Sequence, residues 1–159
     1  MFGTIVLAVD GSPPSDKAVD YAGRLAKESG GRIVAVHVKE IMAGRAAGPV
    51  HVDEEQILEK IRGQVQRLAD EGINAELQVT SSMTGGPAHV IADAASQESA
   101  DIIVTGTRGH TALAGVFLGS VAQRLLHLAA CPVLVIPDAS AAETGAAAGR
   151  GATTTTDGQ

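Results

Sequence analysis

Short apolar runs rich in β-branched residues recur along this chain, with stretches of helical periodicity between them, and no other feature limits the fold as much. The runs are residues 4–10 (TIVLAVD), 32–38 (RIVAVHV), 74–80 (NAELQVT), 101–105 (DIIVT) and 132–137 (PVLVIP). Four of them are apolar enough for strands buried on both faces, whereas 74–80 alternates and reads as an edge. Between them lie helical patterns. The first opens at Ser12 as N-cap with Pro13 at the first helical position. It runs to about Glu28 with Ala18, Val19, Ala22, Leu25 and Ala26 inward, and Gly30-Gly31 stops it. The second, 53–71, buries Ile57, Leu58, Ile61, Val65, Leu68 and Ala69; the third follows Gly85-Gly86-Pro87 with Val90, Ile91, Ala94 and Ala95 inward. The fourth, 121–130, repeats Val121, Leu125 and Leu128. The order βαβαβαβαβ specifies an α/β protein: a doubly wound, five-stranded parallel sheet with helices on both faces. Two strand orders satisfy it, 3-2-1-4-5 and the flavodoxin-like 2-1-3-4-5.

With 159 residues, 45% apolar and 19% charged, the chain suits one globular domain, placed at 1–138. The segment 139–159 holds no Val, Ile, Leu or aromatic residue and is expected to be disordered. The net charge of −6 and pI near 5.2 argue against a nucleic-acid partner. No basic leader or long apolar run opens the chain, so neither a signal peptide nor a membrane span is expected. A single cysteine, Cys131, excludes an internal disulfide and fits a cytoplasmic location. Cys131 reads as a packed small residue and Tyr21 as surface or rim. The acids Asp53, Glu54 and Glu55 read as solvated first-turn residues that suit the helix dipole. The five histidines lack zinc-site spacing. Residues 41–51, small and glycine-bearing, form a long loop, either a flap near the ligand face or a tolerated surface insertion.

One stretch carries chemistry. Residues 106–120 read GTRGHTALAGVFLGS, between the fourth strand and the fourth helix, with Gly106, Gly109, Gly119 and Ser120 spaced G-x2-G-x9-G-S. Glycines let backbone N–H groups approach an anion and admit positive φ, and the helix after Gly119 turns free N–H groups to the same place. Ser120 adds a hydroxyl that either caps this helix or reaches a phosphate. The stretch is neither a Walker P-loop nor GxGxxG. In the 3-2-1-4-5 order the switch point lies between strands one and four, whose carboxyl ends carry Asp10 and the Gly106 loop. That order also makes strand five an edge. Its residues Val133, Leu134, Val135 and Ile136 are apolar on both faces, which predicts a homodimer through this strand.

The IVLAVDGS of 5–12, the AVHV of the second strand, DIIVTGTRG at 101–109, GSVAQRLL from Gly119 and the closing CPVLVIP together resemble the universal stress protein family, over residues 2–138. The full G-x2-G-x9-G-[ST] pattern is similar to that of the family's nucleotide-binding branch. The resemblance implies an adenine nucleotide alpha hydrolase-like fold of order 3-2-1-4-5, ATP as ligand, and dimers through the last strand. Asp10 would meet the nucleoside end and Val38 would lie by the adenine. Gly106, Thr107, Gly109, Gly119 and Ser120 would hold the phosphates, with Arg108 and His110 facing them. Ala8, Val9, Gly11, Ser12 and Val121 would complete the lining. Mg²⁺ is expected with the nucleotide, because crowded phosphates need charge neutralised. The implied role is stress response and signalling with weak or no hydrolysis. Two alternatives stay open: an ATPase or phosphoryl-transfer enzyme using Arg108 and His110, and a protein that takes cyclic AMP.

Overall fold

The computed structural model describes residues 1–40, 54–82, 85–107 and 118–137. Its elements are β1 (Thr4–Ala8), α1 (Pro13–Ser29), β2 (Arg32–Glu40), α2 (Glu54–Asp70), β3 (Ala75–Ser82), α3 (Pro87–Gln97), β4 (Ile102–Gly106), α4 (Ser120–Leu128) and β5 (Val133–Ile136). The sheet runs β3-β2-β1-β4-β5 with every pairing parallel, so the flavodoxin-like order is excluded. β1 pairs with β2 from Thr4↔Arg32 to Ala8↔Val36, and with β4 from Ile5↔Ile102 to Leu7↔Val104.

Because strand side chains alternate, each central strand feeds two cores. Ile5, Leu7, Ile33 and Val104 pack on one face under α1 and α2, with Ala18, Val19, Ala22, Ile61 and Leu68. Val6, Val34, Val36 and Ile103 pack on the other under α3 and α4, with Ala88, Ile91, Ala95 and Leu125. Each of the large side chains among these stabilises the fold by about 1.5–3 kcal/mol through burial.

The elements differ from expectation at their ends. β1 stops at Ala8 rather than residue 10, although the Val9 N–H still bonds Val36 O at 3.0 Å. β2 and β3 end two residues later than expected, at Glu40 and Ser82. Ala69 is exposed, because the buried stripe of α2 is the narrower set Leu58, Ile61 and Leu68. In α4 the buried pair is Ala122 and Leu125, and the helix ends at Leu128, which is 39% exposed. The 41–51 loop and the 139–159 tail lie outside the described residues.

The amino ends of the strands are tied by charge. Asp101 Oδ2 accepts the N–H groups of Gly3 (2.7 Å) and Thr4 (2.9 Å), joining the start of β4 to the start of β1. These two N–H donors, Thr4 first, hold the Asp101 carboxyl below its ordinary pKa. Arg32 donates to Glu98 at 2.7 Å, and Gln78 donates to the same carboxylate at 2.9 Å; both lower the pKa of Glu98.

Candidate functional site

The carboxyl ends of β1 and β4 meet at the point where the strand order reverses, as in ligand-binding doubly wound sheets. Asp10 follows β1 there and folds the chain back on itself. Its Oδ1 accepts the Ser12 N–H at 2.9 Å and the Ser12 hydroxyl at 2.6 Å, while its own N–H donates to Ser15 Oγ at 3.2 Å. This is an Asx-type turn, and it takes the place of the last two expected residues of strand one. Gly11 sits at φ 76°, a conformation that favours glycine, and a Cβ there would lie 3.2 Å from Ile57. Ser12 does occupy the N-cap position of α1, but its hydroxyl serves Asp10 rather than the helix, and the residue is buried.

Gly106 is the last residue of β4 and is buried. A Cβ on it would stand 2.9 Å from the carbonyl carbon of Pro14, so its glycine lets the first turn of α1 lie directly on the strand. That contact brings Gly106 against the corner that holds Asp10. The expected positive φ applies at neither end of the stretch: Gly106 is extended strand, and Gly119 has φ −71° and ψ 158°. Close approach, not left-handed backbone, is what glycine supplies at 106.

The chain leaves and returns at one place. Thr107 donates its N–H to Ile136 O at 2.9 Å and accepts the Gly119 N–H at 2.5 Å. Gly119 is the N-cap of α4, and the first intrahelical bond is Gln123 N–H to Gly119 O, 2.9 Å. The N–H groups of Ser120, Val121 and Ala122 therefore precede the helical ladder and present the positive end of the helix dipole. Ser120 is the first helical residue and exposed, which removes the capping role for its hydroxyl. Val121 is half-buried against the α3–α4 core, as is Val38 of β2. Ala8 and Val9 are buried, one in each of the two cores. Arg108, Gly109 and His110 lie outside the described residues.

Sequence reasoning missed a second layer behind Asp10. His37 of β2 is 4% exposed. Its Nδ1–H donates to Val9 O at 2.9 Å, and Nε2 lies 2.8 Å from Glu54 Oε1. With Val9 O taking the Nδ1 proton, the second contact needs a proton carried by His37 or Glu54. Glu54 is thus a bonded partner and not only a solvated first-turn acid. Lys60 of α2 donates to Gly11 O at 2.7 Å and to Asp16 Oδ2 at 2.8 Å, and Gln64 donates to Asp16 Oδ1 at 2.7 Å. A long donor on a helix two elements away has no local sequence signal, whereas a histidine inside an apolar strand is a visible one. Cys131 packs half-buried against the α3–α4 core, and burial pushes its thiol pKa up.

Residues 1–137 match the model of the universal stress protein family. The chain belongs to the universal stress protein family. It is 33% identical over 151 residues to the universal stress protein YxiE of Bacillus subtilis, covering 86% of this chain and 99% of that protein. It is 35% identical over 144 residues to a universal stress protein of Thermus aquaticus, with the same two coverages. Among solved structures it resembles a universal stress protein in complex with cAMP, with TM-score 0.65, 25% identity, and coverage of 85% of this chain and 97% of that one. The order β3-β2-β1-β4-β5 is the one the resemblance implied. Among the described residues no helix is long and apolar enough to cross a membrane.

Proposed function

We propose that this universal stress protein binds an adenine nucleotide, ATP foremost, across the crevice between Asp10 and the start of α4. The observation that carries the reading is the juxtaposition at the switch point. The Asp10 turn sits on one side and the N–H groups of Ser120, Val121 and Ala122 on the other, joined through Gly106 against Pro14. The residues present fit the ligand. A carboxylate suits sugar hydroxyls, a helix amino end suits phosphates, and Val38 with Val121 offers apolar cover for a base. Ala8, Val9, Gly11, Ser12, Gly106, Thr107 and Gly119 shape the backbone around them, and Arg108, Gly109 and His110 bring the rest of the motif to the phosphates. Mg²⁺ comes with the nucleotide, because crowded phosphates need their charge neutralised.

The bound nucleotide acts as a signal rather than a fuel, with weak or no hydrolysis, in a cytoplasmic stress-response homodimer. Dimer formation is supported by the edge position of β5. Its Val133, Leu134 and Val135 remain half-buried, and Leu126 of α4 is 52% exposed. Calorimetric titration with ATP tests the reading: saturable binding is expected, and no heat above dilution at about millimolar nucleotide rejects it. Likeness to a relative in complex with cAMP favours a second reading, cyclic AMP in the same crevice. Competition between the two nucleotides on one sample separates them. Phosphate release unaffected by Arg108→Ala is expected, and a turnover that this change abolishes would make the protein an enzyme.

A further inference from the structure

The two carbonyls that flank Asp10 are both held by side chains from other elements. Val9 O takes the His37 Nδ1–H from β2 at 2.9 Å, and Gly11 O takes the Lys60 ammonium from α2 at 2.7 Å. Each donor is itself anchored, His37 by Glu54 at 2.8 Å and Lys60 by Asp16 at 2.8 Å. Asp10 thus hangs between two pinned peptide groups, and its N–H is held by Ser15. Gly11 makes the bracket necessary, because a glycine at φ 76° leaves the backbone after Asp10 free to swing unless something fixes its carbonyl.

We propose that His37 and Lys60 are positioning residues for the nucleotide's sugar. His37 fixes the Val9–Asp10 peptide and Lys60 the Gly11–Ser12 peptide one residue further on, so that the Asp10 carboxylate meets the ribose hydroxyls without first paying to be ordered. The inference rests on the nucleotide reading above and adds the residues that set its ribose selectivity. Preorganisation of this kind raises affinity for the group that is read and leaves the remainder of the ligand untouched.

The test is a cycle between protein and ligand. Dissociation constants for ATP and for 2′,3′-dideoxy-ATP are measured on the native chain, His37→Gln, Lys60→Met and the control Lys27→Met. Lys27 pairs with Glu71 at the opposite end of the sheet and removes the same charge. The native chain and the control should prefer ATP by about tenfold, the worth of hydrogen bonds to a charged group. Lys60→Met and His37→Gln should each reduce that preference by about threefold or more, mainly by weakening ATP. Loss of overall charge or of general stability would weaken both nucleotides together and leave the ratio intact. A ratio preserved in both variants overturns the positioning role while the nucleotide reading stands. A native chain that binds both ligands equally overturns it too, since Asp10 then reads no hydroxyl. A native chain that binds neither rejects the nucleotide reading itself. Should His37→Gln fail to fold, Lys60→Met decides alone, because Lys60 is half-exposed on a helix surface.

Discussion

Two aspartates stand at opposite ends of the central strands and use their carboxylates differently. Asp101 reaches across the sheet to the N–H groups of Gly3 and Thr4 and fastens two strands together. Asp10 turns on its own chain, to Ser12, and is held from behind through the carbonyls of Val9 and Gly11. The amino-end aspartate is a rivet; the carboxyl-end one is a mounted side chain. Fastening suits the end where the sheet only needs to stay shut, and mounting suits the carboxyl end, where the proposed nucleotide would sit.

Gly106→Val should disturb this contrast most, because a side chain at 106 must displace the backbone of Pro14 and with it the corner that carries Asp10. Overpacking of this kind costs about 1–3 kcal/mol or more, read as a shifted urea midpoint, and nucleotide binding should disappear with it. Asp10→Ala is the sharper cut at the same end. It should lower nucleotide affinity about tenfold or more while the stability loss stays near 1 kcal/mol, measured by titration alongside denaturation. Ser120→Ala should weaken ATP by only about threefold, since the α4 N–H groups remain. Asp101→Asn should do the reverse of Asp10→Ala: lower stability at neutral pH and unchanged affinity.

The amino end also predicts the acid response. Hydrogen bonds and charge hold the carboxyls of Asp101, Glu98 and Glu71 below their ordinary pKa values, chiefly through Thr4 and Gly3, through Arg32 and Gln78, and through Lys27, respectively. Stability from groups with lowered folded-state pKa values is present above their unfolded values, near pH 4, and is lost as pH falls through the lowered ones. Urea titrations at pH 7 and near pH 3 should therefore show a smaller acid loss for Asp101→Asn than for the native chain. An equal loss would mean that Asp101 fastens nothing.

Much of this was legible in the sequence for physical reasons. Alternating apolar runs and helical periods dictate a parallel sheet, and the polar alternation of β3 marks it as an edge. The two marked places, Asp10 and Gly106, do fall at the switch point. What escaped were contacts whose partners are remote in sequence. The demand for glycine at 106 comes from Pro14, and no property of the loop itself encodes that. Ser12 has the residue type of a helix cap, yet a nearer acceptor, the Asp10 carboxylate, captures its hydroxyl. Glu54 has the position of a dipole-favoured acid, yet a buried histidine of β2 claims it. Leu128 keeps the helical period but is the last residue of α4 and stays exposed.

Amide chemical-shift mapping during an ATP titration reads both ends of the sheet in one experiment and shows whether the nucleotide sits between the Asp10 turn and the start of α4. Gly11, Ser12, Thr107, Ser120 and Val121 should move and saturate together, while Gly3, Thr4 and Asp101 stay still. Shifts confined to the amino end, or an Asp10 corner that stays still while nucleotide binds elsewhere, would contradict it.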